Sequence, residues 1–169
     1  IAKSNYPDLQ TILNIEGSWQ VSFDLEWGGP DSIQFDHLQD WTKHENPGIR
    51  NYSGRANYKK EFICPGFTEG KQYWLQLNQV KDVGIAAVTL NGQDVGITWT
   101  RPFRLEITDF LKAGSNQLEI TVINSWRNRL VGDRGKPQEK RYTKTNIKIR
   151  SDWKPLPSGL LGPVVIKSK

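Results

Sequence analysis

The pair Asn91-Gly92 limits the possible folds of this chain more than any other feature of its sequence. Apolar residues alternate with other residues before the pair, in 86–90, and again after it, in 95–99. Both residues of a two-residue hairpin turn need a positive φ, which asparagine and glycine adopt at the lowest cost. The sequence therefore predicts an antiparallel β-hairpin that turns at position 91.

The same alternation, which is typical of half-buried strands, recurs along most of the chain. It covers residues 19–23, 55–63, 73–77, 103–107 and 118–122, and a last apolar run lies at 164–166. Helical periodicity is almost absent, whereas a parallel α/β fold would need crossover helices. About seven or eight short strands joined by turns predict an all-β fold, an antiparallel β-sandwich or jelly roll.

Two long stretches interrupt the alternation. Residues 31–53 are predicted to be irregular, with at most one helical turn, and residues 124–158 are polar, basic and poor in aliphatic side chains. A loop as long as the second stretch is usually functional or covered by a neighbouring domain. The second stretch is therefore a candidate for function or for contact with another domain.

The length of the chain fits one domain with a substantial core. A chain of 169 residues is of the usual single-domain size, and we predict one β-sandwich module over 1–169 with its core in 15–166. Because the chain begins at Ile1 rather than Met, we expect a module excised from a larger multidomain protein. No apolar run approaches the length of a membrane-spanning helix, so no membrane partner is predicted.

The charge of the chain is unevenly distributed. The whole chain carries a formal net charge of +5, while residues 127–154 contain ten Lys or Arg and three Asp or Glu. A basic block of this kind can attract nucleic acid or another acidic surface. No nucleic-acid-binding motif accompanies it. Nucleic acid is therefore kept as a lesser alternative to a loop that packs on an acidic neighbouring domain.

The sequence predicts no cofactor. Cys64 is the single cysteine, which excludes an internal disulfide and a cysteine zinc cluster, and it is expected to be an inert, partly buried thiol. His37 and His44 are the two histidines, both in a polar loop, so zinc is not predicted. No Asp-rich loop is present, and structural calcium remains only as an alternative.

Five runs of the sequence resemble one known family. The runs are Gly17–Phe23, Tyr58–Pro65, Val80–Gly96, Pro102–Leu118 and Ser158–Val164. Their pattern resembles the sugar-binding, jelly-roll domain of glycoside hydrolase family 2, which is galactose-binding-like. Two further runs, Asn124–Asp133 and Ser158–Pro163, look like the C-terminal module of family 106 α-L-rhamnosidases and related enzymes.

The resemblance carries expectations about reaction, partners and location. In such enzymes the catalytic carboxylates lie on a separate barrel domain, so this chain is expected to be non-catalytic and its parent protein to be a glycoside hydrolase. The implied partners are a glycan and the catalytic domain of the same polypeptide. The implied location is secreted or periplasmic, in a bacterium.

The residues agree with a non-catalytic chain. Glycoside hydrolysis needs two carboxyl groups about 5 to 10 Å apart across a cleft. Asp94, Asp109, Asp133 and Glu139 are available, but no supporting pattern surrounds them. We therefore predict no catalytic residue in this chain.

The candidate ligand-binding residues lie in two connections that follow strands, where functional residues tend to occur. They are Trp99, Arg101, Asn124, Trp126, Arg129 and Asp133. Aromatic planes pack on the C–H faces of sugars, and Asn, Asp and Arg hydrogen-bond to hydroxyl pairs.

Structural alternatives stay open for the same residues. Trp99 could border the core, Trp126 could anchor the long loop, and Arg129 and Asp133 could form a structural ion pair. The leading hypothesis is a non-catalytic accessory module that supports the catalytic domain and contacts glycan. The alternative is a purely structural interdomain module, in which Trp126, Arg129 and Asp133 are buried or bonded internally.

Overall fold

The computed structural model describes residues 8–66 and 68–169, which form twelve β-strands. The strands are β1 (Gln10–Asn14), β2 (Trp19–Phe23), β3 (Ile33–Phe35), β4 (Arg55–Cys64), β5 (Tyr73–Gln76), β6 (Val80–Lys81), β7 (Ile85–Leu90), β8 (Gln93–Thr98), β9 (Arg104–Glu106), β10 (Gly114–Ile123), β11 (Gly159–Leu160) and β12 (Val165–Ser168). Two helices, α1 (Pro47–Arg50) and α2 (Arg127–Asp133), and 3-10 turns at Leu25–Trp27, Trp41–Lys43 and Gln138–Lys140 lie between them.

The strands form two antiparallel sheets that pack face to face. The larger sheet has the order β3-β2-β4-β10-β7-β8, the smaller has the order β1-β12-β5-β9, and β11 pairs with β6. Alternate residues of the central strands point into one shared core, as in the buried positions of β10, Leu118, Ile120 and Val122. The predicted all-β antiparallel sandwich is confirmed.

The hairpin predicted at position 91 joins β7 to β8. Asn91 has φ 55° and Gly92 has φ 77°, so both adopt the left-handed region that this turn requires. The Asn91 side chain also donates to the carbonyl oxygen of Phe110 at 2.8 Å and accepts from the Gln117 backbone N at 3.0 Å. The residue thus closes the turn and ties it to β10.

Both long stretches contain more regular structure than predicted. The stretch 31–53 holds β3, a 3-10 turn and the single turn α1, because Trp41 and Tyr52 enter the core and pin it there. The stretch 124–158 begins with α2, which was predicted as loop. This helix forms because Leu130 and the polar side chains beside it find buried partners on other loops.

One end of the sandwich gathers the connections that matter for function. Register pairs Phe23 with Ala56, Arg55 with Ile123, and Ile123 with Ile85, so β2 and β10 end where β4 and β7 begin. The connections 24–32, 51–54, 82–84, 99–103 and 124–158 therefore meet at this end, which we call the site end. In the described part of the chain, no helix is both long enough and apolar enough to cross a membrane.

Candidate functional site

Two tryptophans form the centre of the site end. The Trp27 and Trp126 rings meet edge to face, with ring centroids 5.0 Å apart and planes at 79°. Trp126 is 57% exposed, and Trp27 is partly buried. An edge-to-face contact of this kind stabilises both rings and leaves the outer faces free.

The position of Trp27 follows from the short turn that carries it. The Asp24 carboxylate accepts from the Glu26 backbone N at 2.8 Å, which caps the 3-10 turn, and Gly28 ends the turn with φ 76°. The buried Tyr52 hydroxyl accepts from the Asp24 backbone N at 3.0 Å and anchors the turn to the core. Sequence reasoning missed Trp27. The available signal was an aromatic residue directly before Gly28–Pro30, the residues that interrupt the strand pattern.

A cleft lies on each side of the tryptophan pair. The first cleft, of about 610 Å³, is walled by Trp27, Trp126, Leu130, Tyr142 and Ile147, with Lys144 at its border. The second cleft, of about 380 Å³, is more polar and is lined by Asp24, Arg55, Ile123 and Asn124 beside the same two rings. Each cleft thus combines an aromatic wall with polar groups, the usual composition of a ligand site.

Asn124 forms the floor of the second cleft. Its side-chain amide donates to the Tyr52 carbonyl oxygen at 2.9 Å and to the Ser158 hydroxyl at 3.3 Å. Its side-chain oxygen accepts from the Gly54 backbone N at 2.9 Å. The residue therefore joins the connection 51–54 to both ends of the connection 124–158 and has little capacity left for a ligand.

Arg129 lies behind the first cleft and is 2% exposed. Its guanidinium donates to the carbonyl oxygens of Trp27 and, at 3.3 Å, Gly48, and its Cζ lies 4.5 Å from the Tyr142 ring centroid. Its Nε is buried and has no hydrogen-bond partner among the described residues. Burial lowers the pKa of Arg129, since removal from water penalises the charged form.

Asp133 is 1% exposed and holds the far wall of the first cleft. Its Oδ2 accepts from both the backbone N and the hydroxyl of Thr143, each at 2.8 Å, and its Oδ1 lies 3.4 Å from the Lys136 ammonium. The ion pair that was open as an alternative does not form: within the described residues, Asp133 pairs with Lys136 and Arg129 hydrogen-bonds to carbonyl oxygens. Both side chains instead shape the loop that carries Tyr142 and Thr143.

Trp99 and Arg101 lie at the same end but outside both clefts. Trp99 is 67% exposed, directly after the edge strand β8. Arg101 borders a separate depression of about 590 Å³ with Gln76, Asn78 and Pro163. The structure thus gathers four of the six candidate residues, Asn124, Trp126, Arg129 and Asp133. Ligand contact by any of the six stays a prediction.

The remaining chemistry of the described residues is sparse. No group of three or more His, Cys, Asp or Glu side chains is arranged there to hold a metal ion. Cys64 is buried in the core, and its thiol lies 3.6 Å from the Gly66 carbonyl oxygen. The site end is therefore best suited to bind a ligand through aromatic and polar contacts.

Comparison with known proteins identifies the family. Residues 37–160 match the family described as "Glycosyl hydrolase 2 galactose-binding domain-like". The chain belongs to this family. The resemblance to the family 2 sugar-binding domain that the sequence motifs indicated is confirmed.

Solved structures of larger enzymes contain the same fold. A rhamnosidase from Novosphingobium sp. PP1Y superposes with a TM-score of 0.88 at 36% sequence identity, over 99% of this chain and 16% of that chain. A β-D-glucuronidase from Dictyoglomus thermophilum superposes with a TM-score of 0.63 at 23% identity, over 99% of this chain and 29% of that chain. The first match agrees with the narrower resemblance to rhamnosidases, and the second shows the shared fold.

A protein of Formosa agariphila, provisionally named beta-glucuronidase, is 37% identical over 139 residues, which are 82% of this chain and 12% of that protein. The chain therefore spans less than a fifth of the length of this relative and of the rhamnosidase. In these relatives the domain is one part of a larger glycoside hydrolase. The secreted or periplasmic location implied by the resemblance stays a prediction.

Proposed function

We propose that this chain is a non-catalytic accessory domain of a glycoside hydrolase and that it contacts glycan at the Trp27–Trp126 pair. The observation that carries the proposal is an aromatic pair, with Trp126 exposed and Trp27 partly buried, set between two clefts. Membership of the galactose-binding-like family supports the general role. The position and chemistry of the two tryptophans support this pair as the surface that contacts glycan.

The proposed contact follows from the chemistry of sugar rings. A sugar presents C–H groups on one face, which pack on an aromatic plane, and hydroxyl groups at its edge, which need hydrogen-bond partners. Trp126 supplies the plane, while Asp24 and Arg55 supply polar groups in the second cleft. The buried Asn124, Arg129 and Asp133 act by holding the loops that carry these groups.

Replacement of Trp126 by alanine tests the proposal. Because exposed aromatic anchors often dominate binding energy, we expect Trp126→Ala to weaken glycan binding by about tenfold or more. The matched control is Trp99→Ala, which removes an equally large exposed ring outside both clefts and should leave affinity unchanged. Isothermal titration calorimetry with a panel of neutral and anionic oligosaccharides measures both variants. Loss of binding in the Trp99 variant alone would instead assign the contact to the β8 edge.

A second candidate function, docking to another domain of the same polypeptide, rests on the outer face of the larger sheet. We define the outer strip as Ile85, Ile97, Trp99 and Ile123. Ile123 lies opposite Ile85 across β10 and β7, and the exposed Ile97 lies opposite Ala87. Farther along the same face the residues are polar, with Lys59 paired to Glu119 at 3.4 Å.

An apolar strip confined to one half of a sheet face is typical of a contact surface. A neighbouring domain is the proposed occupant, because nearly the whole chain aligns within 16% of the rhamnosidase, where the rest of the polypeptide is available to cover it. This role extends the support of the catalytic domain that the family resemblance implies.

Docking predicts an effect that appears only in the joined protein. In a polypeptide that carries this domain beside a catalytic domain, Ile97→Lys should separate the domains, because a buried unpaired ammonium is costly. We expect a lower thermal midpoint and faster proteolysis between the domains, with little change in the isolated chain. Gln93→Lys, an exposed position on the same strand, is the control. Equal behaviour of the two variants in the joined protein would exclude this face.

A further inference from the structure

One cation lines the first cleft, and two more lie against its Tyr142 wall. Lys144 lines it, and its Tyr142 wall packs against two more: the Arg129 guanidinium carbon lies 4.5 Å, and the Lys136 ammonium 5.6 Å, from the ring centroid. The cleft therefore combines aromatic walls with positive charge within a few ångströms of them.

Arg129 and Lys136, the two cations behind the Tyr142 wall, share one buried carboxylate, Asp133. Asp133 is the buried carboxylate of this region, and it pairs with Lys136 at 3.4 Å. Within the described residues, neither Arg129 nor Lys144 forms a salt bridge with a carboxylate. Arg129 is bonded to carbonyl oxygens, which orient its charge without cancelling it. A positive charge behind low-dielectric walls raises the potential in the cleft that it borders.

Two further arginines of the basic segment 127–154, Arg134 and Arg127, are held by contacts that leave their charges intact, whereas Arg150 pairs with Asp152 at 2.7 Å. Arg134 donates to the carbonyl oxygens of Arg150 at 2.7 Å and Ser151 at 3.0 Å. Arg127 lies with its guanidinium carbon 4.6 Å from the Trp153 ring centroid. Neither arginine pairs with a carboxylate within the described part of the chain. These contacts order the segment and leave the charges of both arginines without a carboxylate partner among the described residues.

We propose that the first cleft binds an anionic sugar unit, one that carries a carboxylate or sulfate group. This inference rests on the proposed function, since it names the class of glycan that the Trp27–Trp126 pair contacts. The Trp126 ring would pack on the C–H face of the sugar, and Lys144 would meet its anionic group. Arg129, behind Tyr142, would add attraction at a distance without direct contact.

A neutral sugar would leave this charge without a partner. Burial of Lys144 against an uncharged ligand removes part of its hydration and returns no ion pair, so the cleft discriminates against neutral sugars. An anionic group at the same position gains a charge-assisted hydrogen bond. The preference therefore has both an attractive and a repulsive component.

The test uses the 169-residue chain and four probes of similar length: a polyuronate, a sulfated oligosaccharide, a neutral oligosaccharide and single-stranded DNA. We expect the polyuronate or the sulfated probe to bind most tightly, and their relative affinities distinguish carboxylate from sulfate. Lys144→Gln should weaken anionic binding by about three- to tenfold. Lys71→Gln, an exposed lysine at the opposite end of the sandwich, is the control and should have no effect. Binding should also weaken as NaCl rises from about 0.05 to 0.5 M.

Each contrary outcome has a separate meaning. Equal affinity for neutral and anionic oligosaccharides, with Trp126→Ala still damaging, would overturn the charge preference and leave the proposed function standing. DNA that binds as tightly as the anionic glycans, with the same loss in Lys144→Gln, would show a general polyanion surface and overturn the inference. Absence of binding to every oligosaccharide would overturn the inference and the proposed glycan contact together.

Discussion

Replacement of Gly159 by alanine should lower the free energy of unfolding by about 3 to 5 kcal/mol. Gly159 has φ 104°, a backbone conformation that L side chains rarely adopt, and an added Cβ would lie 2.5 Å from Nε1 of Trp41. Trp41 is fully buried, and its Nε1 donates to the Tyr58 hydroxyl at 2.6 Å. The methyl group would therefore strain the backbone and displace the indole that pins the stretch 31–53 to the core.

Gly70→Ala separates these two costs. Gly70 has φ 76°, and no heavy atom of the described residues lies within 4 Å of the position that its Cβ would take. Gly70→Ala should therefore lower the free energy of unfolding by about 1 kcal/mol, from backbone strain alone. Urea unfolding followed by tryptophan fluorescence measures both variants. If both variants lowered the free energy of unfolding equally, the close approach of Trp41 would add nothing to the cost of a side chain at Gly159.

Replacement of Asn128 by alanine should lower the free energy of unfolding by about 2 to 4 kcal/mol. The fully buried side chain donates to the Leu156 carbonyl oxygen at 2.8 Å and the Ser158 hydroxyl at 2.9 Å, and accepts from the Leu156 backbone N at 2.7 Å. Its loss leaves the Leu156 backbone N without this acceptor and removes one donor each from the Leu156 carbonyl oxygen and the Ser158 hydroxyl, which still hydrogen-bond to each other at 2.9 Å. It also frees the chain at Leu156, where it returns to the sandwich after the basic segment, so protease cleavage between 134 and 155 should accelerate.

Asn146→Ala is the matched control, because Asn146 is exposed and its side chain makes no hydrogen bond within the described residues. Its unfolding free energy and cleavage rate should stay close to those of the unchanged chain. If Asn128→Ala lowered stability without faster cleavage in 134–155, the return of the segment would depend on other contacts, such as the Ser158 backbone N to Asp40 at 3.1 Å.

The features predicted from sequence are those with a local cause. Asn91 and Gly92 adopt the positive φ values that the turn needs, and the alternation of β10 buries one face of that strand. Such requirements involve neighbouring residues, so they are visible in a short window of sequence. Trp126 was identified in the same way, as an aromatic residue in a connection that follows a strand.

The partners within the site were not predictable in this way. Arg129 and Asp133 lie four positions apart, a spacing that made an ion pair reasonable. The guanidinium instead donates to the carbonyl oxygen of Trp27, a residue 102 positions away. Trp27 itself was missed because nothing in its local sequence indicates that Trp126 lies 5.0 Å away.

The sequence by itself determined the antiparallel sandwich and the hairpin at position 91, because turn chemistry and strand alternation act between near neighbours. The family came from the resemblance of five motifs to a known domain. Only the tertiary structure decided that Trp27 meets Trp126, that Arg129 lies behind Tyr142 rather than in an ion pair with Asp133, and that Trp99 lies apart at the β8 edge. These contacts form between connections that are far apart in sequence, and the order of the strands in the sheets determines which connections lie together. That order is set by burial of the whole core rather than by any local segment.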